Sequence, residues 1–141
     1  MVQALLVEMQ IQEGKRLIDQ LLQEGVAIPV AAWVKESDCG YWYLYLATPL
    51  VSDKVGTTPA YRRVKAVIRE LQKDAFEIDL DEIKVIGPHE RIAKDMVARR
   101  HPGWTRRPTW LRGRFEELGV EEALIYPPIG APRKVAAVKK E

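Results

Sequence analysis

The residue types best suited to chemistry are concentrated in one stretch, Arg99-Arg100-His101-Pro102-Gly103-Trp104-Thr105-Arg106-Arg107-Pro108-Thr109-Trp110-Leu111-Arg112-Gly113-Arg114. Guanidinium groups make bidentate contacts to phosphate, and indole rings stack on exposed bases, so interleaving the two suits a nucleic-acid backbone or another polyanion. The candidate contacts are Arg99, Arg100, Trp104, Arg106, Arg107, Trp110, Arg112 and Arg114. Two prolines and two glycines in the stretch suit an extended loop laid over a surface. If residues 110–115 form a strand, Arg112 and Arg114 share a face with Trp110. The competing account makes Trp104 and Trp110 core anchors and pairs the arginines with Glu116, Glu117, Glu121 and Glu122.

Charge along the chain sharpens that choice. The formal net charge is +2, but residues 91–114 hold eight basic residues against only Asp95. Residues 115–126 follow with four glutamates and no base, while residues 1–90 carry 10 basic and 14 acidic residues. The basic stretch therefore meets a polyanion if its charge is free, and its own neighbours if it is not.

A second pattern is Asp79-Leu80-Asp81-Glu82-Ile83-Lys84. A carboxylate two residues before a lysine on a strand, with an acid upstream, is how metal-dependent nucleases arrange their ligands and lysine. Glu82 and Lys84 would share one strand face, with Asp79 or Asp81 nearby and Glu13 as a further carboxylate. The plainer reading points Ile83 and Val85 inward and leaves the charged residues in water. His89 and His101 have no recognised metal spacing, and Cys39 stands in a turn with no adjacent base. As the only cysteine, Cys39 excludes an intramolecular disulfide and a thiolate zinc cluster. Gly14, Gly40, Gly56 and Gly87 are isolated, so no phosphate-binding loop is present. These residues assign no catalytic group, no metal site and no cofactor. Trp33, Tyr41, Trp42, Tyr43 and Tyr45 could line a ligand site, but a sheet covered by helices needs such residues for packing.

The elements that must position these residues follow from periodicity. A helix is expected over about residues 3–24, closed by Gly25, with Val7, Ile11, Gly14, Ile18, Leu21 and Leu22 on one face. Gly14 in that stripe lets a neighbour approach closely. Val2, Leu5, Leu6 and Met9 point the other way, an apolar face for another part of the chain, for a second copy or for a partner protein. Val30–Lys35 and Tyr41–Ala47 read as a hairpin, the second strand central and covered in part on both sides. Thr57-Thr58-Pro59 starts a helix with Tyr61, Val64, Val67, Ile68 and Leu71 inward and Arg62, Arg63, Arg69 and Lys73 toward solvent. Ile83–Ile86 reads as a strand, and about His89–Arg100 as a short helix. Residues 110–115 and 121–126 form a second hairpin. The order α-β-β-α-β-α-β-β implies a single α+β domain over 1–126, with a largely antiparallel or mixed sheet of about five strands. Residues 127–141 read as a basic, Pro-containing mobile tail.

The segments Ile11-Gln12-Glu13-Gly14-Lys15-Arg16-Leu17-Ile18, Ala32-Trp33, Ala47-Thr48-Pro49-Leu50-Val51, Ala60-Tyr61-Arg62-Arg63-Val64 and Ile83-Lys84-Val85-Ile86-Gly87-Pro88 resemble a group of small uncharacterised bacterial proteins. The resemblance covers about residues 5–126. It implies one shared domain and carries no activity to transfer. No run approaches the roughly 20 apolar residues of a spanning helix, and the N-terminus lacks the basic start and cleavage site of a secretory signal. A cytoplasmic protein is the default expectation. The function expected first is a small non-enzymatic accessory domain that contacts nucleic acid, or an acidic partner, through the Arg/Trp segment. The alternatives are association through the apolar helix start, and a metal-dependent nuclease.

Overall fold

A computed structural model of the chain describes residues 6, 8–100, 106–115 and 119–132. The described chain folds as α1 (Glu8–Gln23), β1 (Val30–Glu36), β2 (Trp42–Ala47), α2 (Thr58–Leu71), β3 (Ile83–Ile86), α3 (Arg91–Arg99), β4 (Thr109–Phe115) and β5 (Val120–Ile125). Short 3-10 turns, Gln72–Asp74 and Leu80–Glu82, lie between α2 and β3. The five strands form one mixed sheet in the order β3-β2-β1-β5-β4. β2 and β3 are parallel, as a crossover through α2 requires, and the other neighbours are antiparallel. The protein is thus an α+β single domain.

Local chemistry explains the punctuation. α1 ends in a Schellman arrangement: Gly25 adopts φ 85°, and Val26 N–H donates to the Leu21 carbonyl at 2.9 Å. The β1–β2 turn closes through Gly40, φ 74°, whose N–H donates to the Glu36 carbonyl at 2.8 Å. Before β3, Asp79 and Glu82 form a capping box, each side chain taking the other's backbone N–H.

Period-two alternation sorts the sheet into two cores. One face carries Ala31, Trp33, Trp42, Leu44, Leu46, Ile83, Val85 and Leu124, buried beneath α1 and α2. The other carries Val30, Ala32, Val34, Ala47, Ile86, Ala123 and Ile125, buried against Ala93 and Met96 of α3. β1 is the middle strand, with Val30–Val34 all buried, and β2, as expected, lies inside the sheet between β1 and β3. In β2, Tyr43 and Tyr45 stay half-exposed because the α3 layer does not cover them fully.

Glu13, a charged residue of a surface helix, is buried because its Oε1 accepts the N–H of Glu77 at 3.0 Å. The packed chain also runs past residue 126, because Ile129 rests on the first core and Pro127 and Pro128 are partly buried. Residues 133–141 of the expected tail lie outside the described residues. Among the described residues, no helix is long and apolar enough to cross a membrane.

Candidate nucleic-acid interface

β4 is an edge strand, hydrogen-bonded to β5 alone. Its alternation turns Thr109 and Leu111 toward the α3 side, where Thr109 is buried and Leu111 packs on the second core. Trp110 faces the opposite way and remains 43% exposed. The Trp110 ring meets Trp42 edge to face, at 6.2 Å between centroids and 86° between planes. Trp42 itself is buried, so a fixed indole supports a partly exposed one. Arg106 and Arg107 stand exposed just before β4.

The other arginines of the stretch divide. Arg99 Nε makes an ion pair with Asp95 Oδ2 at 2.9 Å, one helical turn away. Arg100 donates to the Pro29 carbonyl at 2.9 Å, and burial pushes its guanidinium below the ordinary value. Arg99 thus pairs within α3, and Arg100 holds the end of α3 against the loop before β1. Arg112 lies opposite Glu122 in the β4–β5 register, with an irregularity between Arg112 and Phe115; Arg114 falls within that irregularity. Trp104, and Glu116 and Glu117 of the acidic run, lie outside the described residues. Glu121 turns to Lys35 of β1, at 3.7 Å.

The second pattern separates. β3 begins at Ile83, so Glu82 ends a 3-10 turn and does not share a strand face with Lys84. Lys84 Nζ donates to Glu36 Oε2 at 2.6 Å and sits 4.5 Å from the Tyr43 ring centroid. The Tyr45 hydroxyl donates to the same Glu36 oxygen at 2.5 Å. Burial disfavours the Lys84 charge, but the Glu36 hydrogen bond and charge outweigh it and raise its pKa. Burial, followed by the bond to Glu36, pushes the Tyr45 phenol far up. Lys84 lines an open cleft of about 520 Å³ with Tyr45, Tyr61, Glu90 and Arg91.

Glu82 lines a different cleft, about 390 Å³, with Gln10, Tyr41, Trp42, Tyr43, Asp79 and Asp81. Carboxylate oxygens of Asp79, Asp81 and Glu82 all lie within 4.8 Å of one another and could hold a cation. Burial first, then the charges of Asp79, Asp81 and Glu13, push the Glu82 carboxyl up, although the Asp79 N–H opposes them. Glu36, Asp38 and Cys39 form a second such group, but Lys84 and Tyr45 already occupy Glu36. Sequence reasoning missed the Glu36–Tyr45–Lys84 cluster, since only the β1–β2–β3 register brings its members together.

At the start of α1, Leu6 is half-buried against the first core, and Met9 is 57% exposed. Val2 and Leu5 of that expected face lie outside the described residues. Comparison with known proteins returns no matching family, no matching curated protein and no matching solved structure.

Proposed function

We propose that this domain is a binding module without catalytic activity of its own, which takes a nucleic-acid strand along its β4 edge. Arg106 and Arg107 contact phosphates there, Arg112 and Arg114 extend the charge along the strand, and Trp110 stacks on a base. The observation that carries the reading is Trp110, a large ring 43% exposed on an edge strand and braced by the buried Trp42. An indole held in one orientation loses little freedom on stacking, which is worth roughly 1–3 kcal/mol per base. Arg99 and Arg100 take a supporting role, because both are engaged within the fold.

The test is a salt titration of binding to a 20-nucleotide single strand. Affinity should fall steeply with ionic strength, by roughly 0.7 in log–log slope per phosphate neutralised. R106E/R107E should flatten the slope by about 1.4 and weaken binding at low salt. Trp110→Ala should weaken binding roughly tenfold with the slope unchanged, as expected for lost stacking. Binding indifferent to salt and to R106E/R107E sinks the reading. Salt-dependent binding indifferent to Trp110→Ala assigns the surface to polyanions in general.

A further inference from the structure

From its second turn on, α2 is crowded with cations. Thr58–Leu71 holds Arg62, Arg63, Lys65 and Arg69 against Glu70 alone, with no acid in the first turn. Like charges three and four residues apart on a helix repel. Arg62/Lys65 and Lys65/Arg69 are such pairs. Arg69, in the last turn, suits the helix dipole, but the two like-charge pairs do nothing to stabilise the helix.

Arg63 donates to the Glu24 carbonyl at 2.9 Å, and Lys73, just beyond the helix, pairs with Glu70 at 3.3 Å. Arg62, Lys65 and Arg69 are exposed, and make no hydrogen bond or ion pair among the described residues. At 3.6 residues per turn they fall within about 60° of arc, opposite the buried Ala60, Val64, Val67 and Ile68. The result is a straight stripe of three cations, roughly 10 Å long at 1.5 Å rise per residue.

We infer that this face of α2 is a second contact surface for a nucleic-acid phosphate backbone. Charge complementarity gives the anion, and what is missing from the face gives the class. Among the described residues, the exposed large apolar ones are Met9, Tyr41, Val55, Val97 and Trp110, and none lies on α2. A membrane-surface helix needs apolar side chains to insert, and a protein partner needs apolar anchors at the interface core. A phosphate backbone needs neither. Tyr61 ties α2 to β3, so the stripe lies by the sheet edge opposite β4. It shares the ligand class proposed above but stands on different residues.

The experiment measures binding of the full chain to a mixed-sequence 20-base-pair duplex across ionic strength. R62E/K65E/R69E should reduce the log–log salt slope by about 2.7, at roughly 0.9 per phosphate contact. R62Q/K65Q/R69Q, which keeps helix-forming side chains, should give the same change in slope if charge reversal impairs folding. A slope equal to that of the unaltered protein in the Gln variant overturns the inference. So does binding to vesicles with anionic headgroups but not to the duplex. R106E/R107E, measured alongside, separates the two surfaces. Loss there with the α2 variants unaffected leaves only the β4 reading, and the reverse leaves only the α2 stripe. No binding to either nucleic acid removes both.

Discussion

Gly14 is fixed by the hydroxyl of Tyr126, which donates to the Ile11 carbonyl at 2.6 Å and accepts the Trp33 indole N–H at 3.0 Å. A Cβ at position 14 would overlap that hydroxyl and come within 3.0 Å of Trp33 Nε1. Alanine gains about 1 kcal/mol of helix propensity over glycine. Overpacking costs about 1–3 kcal/mol, and a displaced Tyr126 leaves the buried Trp33 N–H without its acceptor, about 1–3 kcal/mol more. The clash wins. Gly14→Ala should therefore lower unfolding free energy by about 2 kcal/mol in a urea titration, and G14A/Y126F should recover part of the loss. A G14A variant as stable as the original would show that α1 can shift away from the sheet without cost. The close approach at Gly14 was legible in the sequence, because a glycine inside an apolar helical stripe has few other uses. Its partner was not legible, since Tyr126 arrives from the far end of the chain. The burial of Glu13 was not legible for a related reason: nothing local places the backbone N–H of Glu77 against it.

β3 shows what an element must do when it stands at a sheet edge. Its outward Ile83 carbonyl and Val85 N–H both meet the hydroxyl of Tyr61, at 3.4 Å and 3.2 Å. One side chain of α2 thus occupies the positions another strand would use. Tyr61→Phe should cost about 1–2 kcal/mol, from one partly buried N–H and one carbonyl left without that partner. It should also raise the rate of self-association during heating, measured by light scattering, while the same change at the exposed Tyr41 should do neither. Helices and hairpins were legible because their 3.6 and 2.0 periods are local. Strand order was not, because β1 becomes central only when β5 pairs with it from nearly 90 residues away. The start of β3 at Ile83 was legible, but the capping box before it was not, because it is a relation between two side chains and two backbone groups. At the candidate interface, residue types were legible and their engagement was not. Nothing local shows that Arg100 spans to the Pro29 carbonyl while Arg106 stays in water.

The molecule as a whole is two unequal cores sharing one sheet. α1 buries Leu17, Ile18 and Leu21, and α2 buries Ala60, Val64, Val67 and Ile68, in the larger core. α3 has nine residues and buries only Ala93 and Met96, with Ile92 partly buried beside them. Its last turn is held by Arg100 on the Pro29 carbonyl, and the basic segment leading to β4 departs from that point. Local stability follows buried apolar contact, so α3 should open before the rest of the fold. Native-state hydrogen exchange should find α3 amides exchanging at least tenfold faster than those of α1 and α2. Met96→Ala, a buried large-to-small change worth about 2 kcal/mol or more, should speed α3 exchange and leave the α1 and α2 amides in their original order. Equal protection in all three helices would mean that the smaller core does not open on its own. In that case the segment carrying Arg106 and Arg107 is presented by a rigid support. If α3 does open first, Leu111 of β4 rests on the least stable layer of the domain, and a polyanion bound along β4 should slow α3 exchange.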